Sequence, residues 1–248
     1  MDASTYTLDF WRSKASGLTF RTQHFIDGAY VASADGRTYP TINPATGATI
    51  AEVARGGAAE IDRAVAVARK AYRSGVWSRM DPRARMAVLE TFSALIEAHA
   101  EEFAVLDSLD MGKPVMDMMN IDIPGAATSL KFFAETIDKI EGAVTATAAN
   151  ALHYILRQPL GVVGLIVPWN YPLMMAAWKL GPALATGNSV VLKPAEQSPL
   201  SANLLAELFI EAGGPAGAFN GGDGLGEEAG KTLAPHNDVE KIGFTGST

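Results

Sequence analysis

From Gly161 onward the chain alternates short apolar runs with stretches whose apolar positions recur every three to four residues. Residues 161–169 (GVVGLIVPW) form a continuous apolar run, as a strand buried on both faces would. A helical pattern over 172–184 follows, then a strand at 189–192 closed by Lys193-Pro194. Leu200, Leu204, Leu205, Leu208 and Phe209 make a second helical stripe, ended by Gly213-Gly214. A weak strand near Phe219, a short helix around 227–233 and a strand at 239–244 complete the series. Strands separated by helices of this length predict a parallel, doubly wound α/β sheet.

The first 157 residues have a different texture. The segment 24–31 (HFIDGAYV) sets an Asp-Gly turn between β-forming residues and predicts a tight hairpin. Ile61, Val65, Ala68, Ala71 and Tyr72 recur at helical spacing, as do Val88, Phe92, Leu95, Ile96 and His99. Asp81-Pro82 supplies an N-cap and first residue for the second of these helices, and Pro124 is expected to open a third. After Gly142 the Ala, Thr and Val content favours extended structure up to Leu156. We therefore divide the chain into an N-terminal helical region (1–143) packed on the next unit, an extended oligomerisation-type segment (144–158), and a partial dinucleotide-binding α/β domain (159–248).

Composition narrows the chemistry. Of 248 residues 48% are hydrophobic and 19% charged, enough for a sizeable core. Lys and Arg number 20 against 27 Asp and Glu, a net charge of −7 that disfavours nucleic acid or an anionic membrane as partner. Cysteine is absent, which removes disulfides, thiolate metal sites and a thiol nucleophile from these residues. The four histidines are scattered, so no metal site is expected. The start (MDASTYTLDFWRSKASG) is acidic without an apolar core, and 161–169 is half the length of a membrane span, so a cytoplasmic protein is expected.

Three polar clusters fall at the predicted strand ends: Pro168-Trp169-Asn170, Lys193-Pro194-Ala195-Glu196, and Thr245-Gly246-Ser247-Thr248. A single such residue is more often a solvated loop residue; three clusters on successive strands point to a shared crevice. A lysine and a glutamate three residues apart suit a sugar diol, and a Gly-Ser turn opening a helix offers N–H groups to a phosphate. Together they suggest a dinucleotide. The G-x-G-x-x-A match at 224–229 lacks a good preceding strand, and 226–232 imitates a Walker loop with its glycines one residue too close and two glutamates facing the phosphate; a capped surface helix is the preferred reading there. No Tyr precedes a Lys by four residues, and no G-x-S-x-G or H-E-x-x-H occurs.

The stretch 167–172 (VPWNYP), the segment 178–199 (WKLGPALATGNSVVLKPAEQSP) and the terminal GFTGST resemble the aldehyde dehydrogenase superfamily, in order and separation. NPATG at Asn43 and LDMGKP at Leu109 extend the likeness over the whole chain. FWRSKA, HAEEF and DIPGAA look most like its gamma-glutamyl-gamma-aminobutyraldehyde dehydrogenase subfamily. The resemblance implies an enzyme in which a cysteine thiolate attacks an aldehyde, hydride passes to a nicotinamide, and a glutamate-activated water releases a carboxylate. By motif, Asn170 would donate to the developing oxyanion, a contribution of roughly 3 kcal/mol where such donors are removed elsewhere. Lys193 and Glu196 would hold the adenosine ribose, the carboxylate favouring NAD while leaving NADP admissible. Ile166, Val167, Pro168, Trp169, Gly226, Gly230, Phe244, Gly246 and Ser247 would line the dinucleotide. Lys179 matches a family lysine behind the catalytic centre. A homo-oligomer, dimer or tetramer, is implied for the full-length protein.

The departures matter as much. Family members run to about twice this length, and the sequence stops at Thr248, ahead of the family's E-L-G-G-K segment, its cysteine loop and the strand completing the oligomerisation region. We therefore expect these residues alone to be inactive and poorly soluble, with an open sheet edge. Gly221-Gly222 replaces a β-branched pair and weakens the third cofactor-domain strand. Two other readings stay open: a non-catalytic dinucleotide-binding module or pseudoenzyme, and a subunit-association fragment acting through an exposed edge at 144–157.

Overall fold

The computed structural model describes residues 6–247; the first five residues and Thr248, used above for the chain start and the last motif position, lie outside the described residues. Thr7 caps α1 (Leu8–Ser16), accepting the Phe10 N–H at 3.2 Å. Asp27 and Gly28, at φ of 59° and 78°, turn β1 (His24–Ile26) back into β2 (Ala29–Val31), the backbone that an Asp-Gly hairpin turn requires. A second hairpin, β3 (Thr38–Ile42) with β4 (Thr49–Ala54), lies where the hydrophobic pattern gave no strand signal. The two helical stripes become α2 (Ala58–Ser74) and α3 (Pro82–Ala98), with Asp81 accepting the Arg83 and Ala84 N–H groups at 2.9 and 3.2 Å.

α4 (Ala100–Met111) and the single turn α5 (Val115–Asp117) follow, and a π-helical turn, Met118–Asp122, runs straight into α6 (Ile123–Glu135). Pro124 thus does not open a helix but sits second in α6, directly after the wide turn. β5 (Ala143–Thr145) and β6 (His153–Ile155) pair with each other as a separate antiparallel ribbon, extended as expected. Beyond it run β7 (Val162–Ile166), α7 (Pro172–Ala185), β8 (Ser189–Lys193), α8 (Leu200–Glu211), β9 (Phe219–Gly221), a π-helical turn (Gly226–Gly230), α9 (Lys231–Leu233) and β10 (Lys241–Phe244).

The main sheet has the order β10-β7-β8-β9-β1-β2. Its first four strands are parallel, and the β1–β2 hairpin joins antiparallel through Phe25 opposite Gly221, so the N-terminal region contributes strands as well as helices. The strand placed in doubt by its two glycines forms, though only three residues long. Gly222 just beyond it permits close packing by α2, since a Cβ there would lie 2.9 Å from Ile61 Cδ1. The hairpin is also tied by His24, whose Nδ1 accepts the Asp223 N–H at 3.1 Å while its other nitrogen lies 3.1 Å from Ser33 Oγ.

Alternate residues of the central strands serve two cores. Val163, Leu165, Val190, Leu192 and Phe219 pack with α3, α4, α6, α7 and α8, whereas Val162 and Val191 pack with α2 and α9. On the larger side the Phe209 ring meets Trp77, Phe92 and Phe219 edge-on, with centroids 5.5 to 5.9 Å apart. Such a ring has no room to collapse around when removed. Phe209→Ala should therefore cost about 3–5 kcal/mol in urea denaturation; a loss below about 1 kcal/mol would show that the aromatic cluster does not organise this core.

Candidate functional site

The chain passes from β7 to β8 and β9 on one side and then returns to place β10 on the other, so the strand order reverses at β7, and in such sheets ligands sit in the crevice beyond the carboxyl ends at that point. One row of the register unites the candidates. Ile166 lies opposite Lys193 on β8 and Phe244 on β10. The ladder extends past the strands, with Val167 N–H donating to the Lys193 carbonyl at 3.2 Å and Thr245 N–H to the Ile166 carbonyl at 3.1 Å. Pro168, Trp169 and Asn170 therefore emerge between the loop carrying Glu196 and the segment carrying Gly246 and Ser247, both exposed.

Lys193 is 2% exposed, and its ammonium donates to Glu196 Oε2 at 2.9 Å. A buried cation needs such a partner, because desolvation otherwise outweighs any gain. Burial pushes the Glu196 carboxyl up, but the Lys193 bond and charge, with N–H groups of its own backbone and of Gly226, hold it below the ordinary value. Gly226 is thereby brought to the pair: a Cβ on it would stand 3.9 Å from Glu196 Oε1. A Cβ on Gly230 would meet nothing within 4 Å.

The segment 226–232 is not the capped surface helix expected. It opens with a π turn whose N-cap, Leu225, makes no side-chain cap, and Ala229, Gly230 and Leu233 are buried. The chain wraps wide here because the apolar residues must face α2, and Glu228 is drawn to Arg55 by two bonds of 2.6 and 3.1 Å.

Trp169 and Phe244 present half their surfaces to solvent, 53% and 51%. Asn170 is exposed just before α7, and Tyr171 at the helix N-cap makes no side-chain cap. Ser198 Oγ donates to the Trp169 carbonyl at 3.4 Å and ties the two loops together. The Lys113 ammonium lies 3.5 Å from the Tyr171 ring centroid and is ion-paired with buried Asp122. Sequence reasoning passed over Ser198, Lys113 and Asp122; LDMGKP contained Lys113, but no local pattern joins it to Tyr171.

Lys179 is placed apart. It lies on α7 eight residues past Tyr171, about 12 Å along the axis, and burial lowers its pKa. It lines a cavity of about 760 Å³ with Arg85, Arg157, Trp178, Lys241 and Gly243, on the α7 side of β7 and β10. Asn170, Lys193 and Glu196 are not in that lining, so this cavity and the strand-end crevice are different places. Among the described residues no group of three or more His, Cys, Asp or Glu is arranged to hold a metal ion, and no helix is long and apolar enough to cross a membrane.

Comparison with known proteins agrees with this architecture. A solved gamma-glutamyl-gamma-aminobutyraldehyde dehydrogenase from Burkholderia cenocepacia J2315 superposes with a TM-score of 0.95 at 49% identity, covering 98% of this chain and 49% of that one. A P. syringae indole-3-acetaldehyde dehydrogenase mutant, solved with NAD+ and IAA, gives 0.94 at 50% identity over 96% of this chain and 48% of its own. The NADP/NAD-dependent aldehyde dehydrogenase PuuC of Escherichia coli (strain K12) is 50% identical over 241 residues, 97% of this chain and 49% of its own length. The chain spans about half the length of these relatives. The model of the aldehyde dehydrogenase family matches residues 30–248. With that match on a sheet of this order, the chain belongs to the aldehyde dehydrogenase family.

Proposed function

We propose that these residues bind NAD across the carboxyl ends of β7, β8 and β10, and that in the complete protein they form the cofactor half of an enzyme oxidising a small aldehyde to a carboxylate. The observation carrying this is the pairing of buried Lys193 with half-buried Glu196 beside Gly226, with open space at Gly230. The arrangement fits a dinucleotide: Lys193 donates to and Glu196 accepts from a ribose diol, and glycine at 226 and 230 leaves room for an adenosine. The exposed faces of Trp169 and Phe244, with Ile166, Val167 and Pro168, give it an apolar wall, and Gly246 and Ser247 offer their backbone to the pyrophosphate. The carboxylate of Glu196 disfavours a 2′-phosphate, so NAD binds more tightly than NADP. When bound, the cofactor supplies the hydride acceptor.

Asn170, exposed in the loop after β7, donates its amide to the oxygen that gains charge, and Lys179 stands behind it further along α7. Because these 248 residues include no cysteine, we expect them by themselves to bind without turnover. The exposed Val144, Leu152, Tyr154, Ile155 and Leu156 of the β5–β6 segment (144–158) support a role in joining subunits of a homo-oligomer. A cytoplasmic location goes with this reading, and the net charge of −7 gives nucleic acid or an anionic membrane little to attract them.

Titration calorimetry of the chain with NAD+ and NADP+ tests the assignment. NAD+ should bind more tightly, and Lys193→Ala or Glu196→Ala should each weaken it roughly tenfold, about 1.4 kcal/mol. Absence of heat with either nucleotide would sink the reading, and NADH formed on adding an aldehyde would refute binding without turnover. The pair also makes a pH-dependent contribution. Since the Glu196 pKa is lowered on folding, its stabilisation is present above the unfolded value near 4.5 and lost as pH falls through the folded one. Glu196→Gln should thus lower stability by about 1–3 kcal/mol at pH 7, and the gap to the parent should close as melting is followed into acid below pH 4. A gap that persists unchanged there would exclude the ion pair as its cause.

A further inference from the structure

Two helices begin at the loops that carry the candidate residues, and neither caps itself. α7 starts behind Tyr171 and α8 behind Pro199, and neither N-cap residue makes a side-chain hydrogen bond. The leading N–H groups of a helix need acceptors, and here the helices are buried, so water is not at hand. For α8 the acceptor comes from α4. Asp110 Oδ2 accepts the Leu200 N–H at 3.0 Å, at the first residue of α8. Asp107, one turn earlier on the same face of α4, turns its carboxyl to the Leu173 N–H of α7 and to Ser201 of α8. Its oxygens do not close a full hydrogen bond to either, and Ser201 Oγ is also unpartnered. Just past the end of α4, after Gly112 at φ 81°, Lys113 stands over the Tyr171 ring and pairs with Asp122.

All three acids are at most 2% exposed. Placing three carboxyls in such surroundings is costly, and apolar residues would pack as well. Asp110 bonds the first N–H of α8, Asp107 faces the first turns of both helices, and Asp122 holds the lysine that stands over Tyr171 at the start of α7. We infer that α4 and its C-terminal turn form a bracket that sets the two site loops against each other: Asp110 positions the loop 194–199 bearing Glu196, and Lys113, through the Tyr171 ring, positions the loop 168–172 bearing Asn170. These are positioning residues, since neither touches a ligand-binding atom. The ion pair of Lys113 with Asp122 keeps the ammonium from leaving the ring for solvent, and a desolvated cation over a tyrosine face is the stronger form of that contact.

The functional importance of the loops rests on the NAD-binding reading, so the primary test does not use NAD. Hydrogen exchange followed by mass spectrometry on the full chain reads the two loop-to-helix segments, 168–174 and 198–203, separately. The double variant Lys113→Met with Asp122→Asn removes the cation without stranding a buried carboxylate. It should speed exchange of 168–174 roughly tenfold and leave 198–203 unchanged, whereas Asp110→Ala should do the reverse. Lys113→Arg, which keeps a cation over the ring, should restore parental exchange at 168–174. Exchange that rises evenly along the chain, or fails to rise at the named segment in the double variant, would overturn the bracket and leave these residues as ordinary core. Where the parent binds NAD+, Asp110→Ala should weaken it roughly fivefold or more, about 1 kcal/mol, through Glu196. A parent that does not bind NAD+ would refute the function proposed above while the exchange result still decides the bracket.

Discussion

Val190, Val191 and Leu192 point in turn to opposite faces of the sheet, and neither face can be left to water. That double burial dictates what surrounds it. The crossovers through α7 and α8 cover one side and α2, from far earlier in the chain, covers the other. A strand hydrogen-bonded on both edges and packed on both faces has only its ends free to carry chemistry. Polar residues at the close of β7, β8 and β10 follow from that restriction, and the reversal of strand order at β7 opens a gap between their loops.

Charge had to be brought into this dry interior with care. Lys193 enters at the last residue of β8 and finds Glu196 three positions later, so the partner is supplied by the turn itself. Asp110 and Asp223 have no such local partner. Burial raises both to about 7, and each is held instead by neighbours from other segments, Asp110 by Thr41 and the Leu200 N–H and Asp223 by Asn203. The polar groups near the crevice thus fall into two kinds: those completed within a turn, and those completed only when the helices have docked.

That distinction also explains what could be read in advance. The parallel sheet showed in the apolar runs and helical stripes, the first hairpin in Asp27-Gly28, and the nearness of Lys193 and Glu196 in their three-residue spacing. The β3–β4 hairpin did not show because an inward position of β3 is Thr41, whose hydroxyl bonds Asp110; a polar inward residue erases the alternation that marks a strand. Pro40 in the same strand weakens the signal further. The link from Gly226 to Glu196, and from Lys113 to Tyr171, crosses space between segments far apart in sequence, so no local pattern carries it. Gly221 and Gly222, at and just past the end of β9, misled in the opposite sense: the backbone entropy cost is real, but the approach of α2 over Gly222 makes use of the missing side chain.

The β1–β2 hairpin finds its place only against β9, and the bond that ties it, from Asp223 to His24, joins positions 199 apart. During synthesis the hairpin emerges first and its partner strand β9 nearly two hundred residues later. At ribosomal rates of about 5–20 residues per second, some 10–40 s separate the two. For that interval the apolar side chains of Phe25 and Ile26 have no β9 to join, so the earliest-made strands of the sheet wait longest for their neighbour.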